Sequence, residues 1–278
     1  MVYTIHGVPL PEIESEPLFK IGYVLERLTL RQVAHRAAKV IAISGYVRDL
    51  LKTIYSIDAD IIHNGVDSEL LYPASPGLKR SLRSSLEVPL GRQLVLFVGR
   101  LHRVKDPLTL VRCIPKVLAR NPSAYFVIIG DGPLKAAVQR EATRLGIDGS
   151  LRLISHLPHA IVIRWFQASD IFVSASPWEM LGIAVLEAMS AGVPIVAPAS
   201  GGPLEVLGGS GSFFNPRDER DLAEKICVLL SDPESMIEKA QSAREIVLHN
   251  FRWDLVASRY AAVYKDAVST FETYERSA

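Results

Sequence analysis

The sequence predicts an α/β protein built on a doubly wound parallel sheet, and three observations carry that expectation. Short apolar runs alternate with stretches of helical pattern throughout residues 93–230, as they do in a parallel sheet covered on both faces. The runs themselves, such as Gln93-Leu-Val-Leu-Phe-Val, Asp170-Ile-Phe-Val-Ser-Ala and Pro194-Ile-Val-Ala-Pro, read as buried strands. Glycines and charged groups then fall just after these runs and after the first strand: His6, Arg100, Lys105, Gly130, Glu179 and Gly182. Open α/β sheets bind ligands there, beyond the carboxyl ends of their strands.

At 278 residues the chain is long enough for about two domains. With 49% hydrophobic and 22% charged residues it is ordinary globular material, and a formal net charge of +1 gives no bulk argument for nucleic acid. Cys113 and Cys227 stand far apart without metal-ligand spacing, which fits buried thiols in a reducing cytosol. No run approaches the ~18 apolar residues of a membrane-spanning helix. The start, MVYTIHGVP, has neither a basic n-region nor an apolar h-region. A cytoplasmic protein is expected.

Taken in order, Val2-Tyr-Thr-Ile reads as a strand and His6-Gly7-Val8-Pro9 as its loop. Pro9, Pro11 and Pro17, with Glu12, Glu14 and Glu16 between them, make an acidic extended loop. Leu18 to Lys39 is a long helical pattern rich in Lys and Arg. Its first reading is a solvated surface helix, its second a peripheral contact with a membrane through 18–39. Val40 to Ser44 is a strand, Tyr46 to Tyr55 a helix, and Asn64-Gly65 a turn. Asp58-Ala-Asp60 has the spacing of a divalent-cation site, but it precedes a strand rather than following one and reads as a turn. Prolines and glycines between Tyr72 and Arg92 mark the best boundary. The expected domains are therefore 1–72, a linker over 73–92, 93–250, and a C-terminal helix over 251–278.

In the second domain, Gly99-Arg-Leu-His-Arg-Val-Lys-Asp follows the first strand and Gly130-Asp-Gly-Pro the next. His156 and His159 have the spacing of two metal ligands, but no third is near, and no metal is expected. The central stretch is Ser176-Pro-Trp-Glu-Met-Leu-Gly-Ile-Ala-Val-Leu-Glu: a loop carrying Glu179, then a helix carrying Glu187 in its first turns. Gly182 permits close backbone approach, and the helix start offers unpaired N–H groups suited to a phosphate. A carboxylate beside a phosphate site is best used on sugar hydroxyls. Taken alone, a Glu pair at this spacing reads as a solvated helix face.

Glu179 to Glu187 resembles the E-x7-E signature of the retaining glycosyltransferases of family four, which have the GT-B fold. Gly99 to Lys105, Gly130-Asp-Gly-Pro, Asn64-Gly-Val-Asp, Thr4-Ile-His-Gly and Gly192-Val-Pro-Ile-Val-Ala are similar to other segments of that family. The resemblance implies two Rossmann-like domains, the N-terminal one incomplete. The units that usually precede the T-x-H-G segment have no counterpart, so a short form, a fragment or a misjudged start is expected. It implies a nucleoside diphosphate sugar as donor, no further cofactor, and a glycan, lipid-linked or small-molecule acceptor, with cytoplasmic location, possible contact with the inner membrane face included. It implies His6, Arg100, Lys105 and Glu179 at the reacting end. Around the donor it implies Gly99, Gly130, Leu157, Glu179, Leu181, Gly182, Ile183 and Glu187. Two fixed cations suit the departing diphosphate, whose charge grows as it leaves. Asp106 stands where the family usually has Gly, and Met180 where a small residue is usual, which bears on sugar choice. A non-catalytic nucleotide-sugar-binding module and a nucleotide-sugar epimerase on the same fold are the rival readings.

Overall fold

Parallel pairing runs through both sheets of the structure, a computed structural model that describes residues 1–8 and 17–277 (of 17–24, 26, 27 and 270–277 the backbone only). The first sheet contains β1 (Val2–Ile5), β2 (Lys39–Ala42) and β3 (Asp60–Ile61), in that order. Helix α1 (Pro17–Arg36) connects β1 to β2. It stops short of the expected Lys39 because the Ala38 N–H donates to the Met1 carbonyl at 2.8 Å, so the chain has already joined β1 and Lys39 opens β2. The expected acidic loop lies, from Pro9 to Glu16, outside the described residues. Two of the basic groups expected on the helix surface are engaged within the protein: Arg31 donates to the Tyr55 carbonyl at 2.7 Å and Lys39 pairs with Asp266 at 3.1 Å. Among the described residues no helix is long and apolar enough to cross a membrane. The expected helix Tyr46–Tyr55 divides into α2 (Gly45–Leu50), capped by the Ser44 hydroxyl, and a π-helical turn (Leu51–Tyr55) that ends at Ser56 in the left-handed region.

The second sheet contains β4 (Gln93–Val98), β5 (Ala124–Ile129), β6 (Leu151–Ile154), β7 (Ile171–Val173), β8 (Ile195–Pro198) and β9 (Ser212–Phe214). Their order is β6-β5-β4-β7-β8-β9. The chain thus lays strands to one side of β4, crosses back, and lays the rest on the other side. The order reverses between β4 and β7, where doubly wound folds form their ligand crevice. Seven helices flank the sheet among the described residues: α3 (Pro76–Ser85), α4 (Pro107–Arg120), α5 (Lys135–Arg144), α6 (His159–Ala168), α7 (Ile183–Ser190), α8 (Gly201–Leu207) and α9 (Glu219–Ser231).

Both faces of this sheet are buried. Val95, Phe97, Phe126, Ile128, Ile171 and Val173 pack with Leu110 and Ile114 of α4, Val138 of α5, and Leu222 and Ile226 of α9. The alternate residues Leu94, Leu96, Val127 and Phe172 are equally inaccessible, and the Phe172 ring meets Phe166 of α6 at 5.3 Å between centroids. Each such side chain withdrawn from water contributes ~1.5–3 kcal/mol. Double-sided burial is why the strands read as apolar runs rather than as alternation.

The chain divides into the units Met1–Gly65 with Asn250–Ala278, and Val66–His249. The division falls before the expected linker 73–92, and α3 explains why that stretch goes with the second sheet. Lys79 and Arg83 of α3 both pair with Asp170, at the entrance to β7, and also donate to the Ser169 and Ala168 carbonyls at 2.7 and 2.8 Å. Asp170 in turn accepts from the Leu94 N–H at 2.7 Å. After α10 (Pro233–Asn250), the last helix, α11 (Trp253–Ser277), returns to the first sheet, with Val256, Tyr260 and Val263 packed about Val2, Ile41 and Ile62. The Phe251 ring meets His63 edge-on at 5.1 Å.

Burial by itself would raise the Asp170 carboxyl, but the adjacent Lys79 and Arg83 and the Leu94 N–H more than offset it and hold it below its ordinary 3.8. Stability from the ionised group is therefore present above that ordinary value and is lost as pH falls through the lowered folded one. Asp170→Ala, which also leaves the buried Leu94 N–H unpaired, should cost ~1.5–3 kcal/mol in urea denaturation at pH 7. The gap between wild type and Asp170→Asn should close as the pH is lowered below 3.8. An unchanged midpoint for Asp170→Ala at pH 7 would show that the clamp is idle.

Candidate active site

The loops that follow β4 and β7 are joined side by side where the strand order reverses. The Ser176 hydroxyl donates to the Val104 carbonyl at 2.6 Å, and Lys105 Nζ pairs with Glu179 Oε2 in a partly buried ion pair. Lys105 closes a 3-10 turn, Arg103–Lys105. Asp106 follows it in the left-handed region, φ 44° and ψ 53°, and caps α4. That conformation favours glycine, and Asp is one of the few other residues that tolerates it. Its carboxylate also accepts from the Thr109 hydroxyl at 2.7 Å, a bond glycine could not make.

On the β7 side, the Glu179 carbonyl accepts from the Gly202 N–H at 2.8 Å and the Pro177 carbonyl from the Ser200 hydroxyl at 3.0 Å. The pair Gly201-Gly202 therefore supports the Glu179 loop itself. The Trp178 ring lies under the Arg217 guanidinium, 4.4 Å from its centroid. Gly182, at φ 94°, is the N-cap of α7 and brings no side chain to it, so the first-turn N–H groups lack a side-chain cap. Ile183 opens the helix exposed, whereas the Leu181 side chain is in the core and offers only its backbone to a ligand.

Between the loops after β4, β5 and β6 and the flank of α7 is a cleft of about 360 Å³, lined by Gly99, Arg100, Gly130, Leu157, His159 and Glu187 among others. Gly130 is required there for space: a Cβ would sit 1.9 Å from the Gly99 carbonyl oxygen. Arg100 is exposed and makes no ion pair among the described residues. Glu187 is buried, and its Oε1 lies 2.6 Å from His159 Nε2. Burial pushes the Glu187 carboxyl above its ordinary value, opposed by the hydrogen bond and charge of His159. A neighbouring small cavity holds Lys105, Glu179 and Gly182, and Val98 lines both spaces.

The structure thus gathers Gly99, Arg100, Gly130, Leu157 and Glu187 around one cleft, with Lys105, Glu179 and Gly182 at its neighbour; Ile183 and Leu181 line neither. His6 belongs to the other unit, exposed just beyond the carboxyl end of β1. Sequence reasoning missed Ser176 as the tie between the two loops. It also weighed His159 as a metal ligand; the structure gives that ring a carboxylate partner, and no group of metal-binding residues occurs among the described residues. The strand-end rule could have found it, since His159 opens α6 shortly after β6. A larger cavity, about 660 Å³, lies in the first unit at the amino ends of β2 and β3. Its cations are already paired, Lys52 with Asp58 at 2.6 Å and Arg48 with Asp49 at 2.8 Å, and it sits at the wrong end of the strands for a crevice.

Comparison with known proteins defines the class. The family model for glycosyl transferases group 1 matches residues 79–246, and that for Glycosyltransferase Family 4 matches residues 1–70. The chain belongs to the group 1 glycosyltransferases. It is 32% identical over 286 residues to the alpha-maltose-1-phosphate synthase of Mycolicibacterium smegmatis, an alignment covering 95% of this chain and 72% of that protein. It is 30% identical over 234 residues to the D-inositol 3-phosphate glycosyltransferase of Corynebacterium efficiens, covering 80% of this chain and 55% of the relative. Among solved structures, the sucrose-phosphate synthase of Thermosynechococcus elongatus matches with TM-score 0.84 at 22% identity, over 97% of this chain and 68% of that one. Anabaena HepE in complex with UDP and glucose matches with TM-score 0.81 at 24% identity, over 95% and 71%. These likenesses assign the two parallel sheets to the GT-B fold, of which the chain holds a part: it spans little more than half of the inositol relative.

The geometry at Asp106 gives a measurable contrast. Asp106→Ala loses both the tolerance for the left-handed region and the Thr109 bond, and should cost ~1–2 kcal/mol. Asp106→Gly loses the bond but relieves the backbone, and should stay within ~0.5 kcal/mol of wild type. Thermal denaturation of the two variants checks this; equal losses would show that the backbone conformation at Asp106 is immaterial.

Proposed function

We propose that the protein transfers a sugar from a nucleoside diphosphate sugar to an acceptor hydroxyl, with retention of configuration. The observation that carries this reading is Lys105 beside Glu179 next to the start of α7, at the carboxyl edge where the sheet order reverses. The cleft takes the nucleoside, with the Leu157 backbone beside the base and Glu187 on the ribose. Gly99 and Gly130 let the backbone come close, and the diphosphate lies toward Arg100, Lys105 and the N–H groups of α7.

In the structure Lys105 is neutralised by Glu179. A bound diphosphate offers Lys105 a second anion, which loosens its hold on Glu179 and turns that carboxylate to the sugar hydroxyls. As the bond between the anomeric carbon and the leaving oxygen breaks, negative charge grows on the diphosphate. Fixed cations and helix N–H groups stabilise it more than they stabilise the ground state. The acceptor oxygen bonds to the anomeric carbon on the face the diphosphate leaves, and its proton passes to the departing phosphate oxygen. Neither Glu179 nor Glu187 forms a covalent bond. The names of several relatives carry a phosphorylated sugar or polyol, so small phosphorylated acceptors are the first to assay, ahead of glycan or lipid-linked ones.

Uridine diphosphate is the natural probe, since HepE binds UDP and UDP-glucose. Lys105→Ala should weaken UDP roughly tenfold or more, the ~1.5–3 kcal/mol of a charge-assisted contact, and leave uridine unchanged in calorimetric titration. Equal loss for both ligands would remove Lys105 from the phosphate. Glu179→Gln removes the anion that competes for Lys105, so UDP should bind as tightly or more tightly while release of UDP from donor sugars slows. A variant that binds UDP less well yet turns over normally would overturn the assignment of Glu179 to the sugar.

A further inference from the structure

We propose that His159 is a positioning residue for the nucleotide ribose: its Nε2, 2.6 Å from Oε1 of Glu187, fixes that carboxylate so that its other oxygen accepts the ribose hydroxyls. The inference rests on the reading above that Glu187 meets the ribose.

The two partners differ sharply in their surroundings. The Glu187 side chain is 12% exposed and that of His159 62%, so the ring reaches from water to a carboxylate that is almost out of it. His159 is the first residue of α6, directly after Pro158, so a rigid element carries the ring. Glu187 has no other side-chain partner among the described residues. The remaining ionisable groups of the cleft are Arg100 after β4, Asp131 after β5 and His156 after β6. Asp131 is already engaged, accepting from the Gly132 N–H at 2.9 Å and from Lys135 at 3.1 Å.

A ribose diol presents hydroxyl donors, and an ionised carboxylate is an acceptor only; once protonated it surrenders part of that capacity. Burial works against the ionised form of Glu187, and His159 works for it. A buried carboxylate with no second partner would also be free to turn. One hydrogen bond to Oε1 thus supplies both the orientation and the charge state, while Oε2 stays available.

The test is calorimetric titration of UDP and 2′,3′-dideoxy-UDP between pH 6 and 9 against wild type, His159→Leu and His159→Gln. Wild type should prefer UDP by about tenfold. His159→Leu should lose most of that preference, the more so toward the acid end, and keep its dideoxy-UDP affinity. His159→Gln, which keeps an N–H donor, should retain the preference. A preference undiminished in His159→Leu at every pH, or equal weakening of both probes, overturns the role of His159 and leaves that of Glu187 standing. Equal binding of the two probes by wild type overturns the ribose assignment itself and His159 with it.

Discussion

The pairing of β4 with β7 is the constraint on which the site depends. The two strands lie far apart in the chain, yet Val95 pairs with Ile171 and Leu96 with Phe172. Asp170 locks the entrance of that pairing, bonding the Leu94 N–H on one side and Lys79 and Arg83 of α3 on the other. Everything at the carboxyl ends follows. Gly99, Arg100 and Lys105 leave β4, Glu179 and Gly182 leave β7, and adjacent strands bring them within reach of one another. The polar clamp at one end of the strands and the polar site at the other are separated by residues almost wholly inaccessible to water.

The candidate site is electrostatically closed on itself. Lys105 and Glu179 neutralise each other, and His159 satisfies Glu187, so among the described residues no strong ionic group in the two small cavities is left buried and alone. The carboxylates are not equivalent: Glu179 is held by a cation in a loop, whereas Glu187 is held by an imidazole on the flank of a helix. The difference in partner, more than the spacing along the chain, sets the two carboxylates apart.

The strands of the second sheet were legible because both its faces are buried, which writes each strand as an apolar run; β4, β5 and β8 are clear cases. The strand-end positions of the candidate site were legible as well, since Gly130, Glu179 and Gly182 need only a strand before them. What escaped depends on contacts distant in sequence. The end of α1 is set by a bond from Ala38 to Met1. The stretch around α3 looked like a linker because Pro and Gly surround it, while the charges that fix it meet Asp170 some ninety residues on. His159 and Glu187, twenty-eight apart, face each other only because α6 packs beside α7. A surface lysine and one that closes an ion pair are the same letter, so Lys105 could be read as a cation but not as the partner of Glu179.

Trp178 stands next to Glu179 in the chain, half-buried beneath the Arg217 guanidinium, and this gives the protein an optical handle on the Glu179 loop. Of its three tryptophans, Trp165 is sealed in the core and Trp253 lies in the other unit, exposed. Indole emission responds to nearby charge and to water. Any displacement of the Glu179 loop or of Arg217 therefore alters the surroundings of one ring of the three, and the change in total indole emission reports movement of this loop without a label.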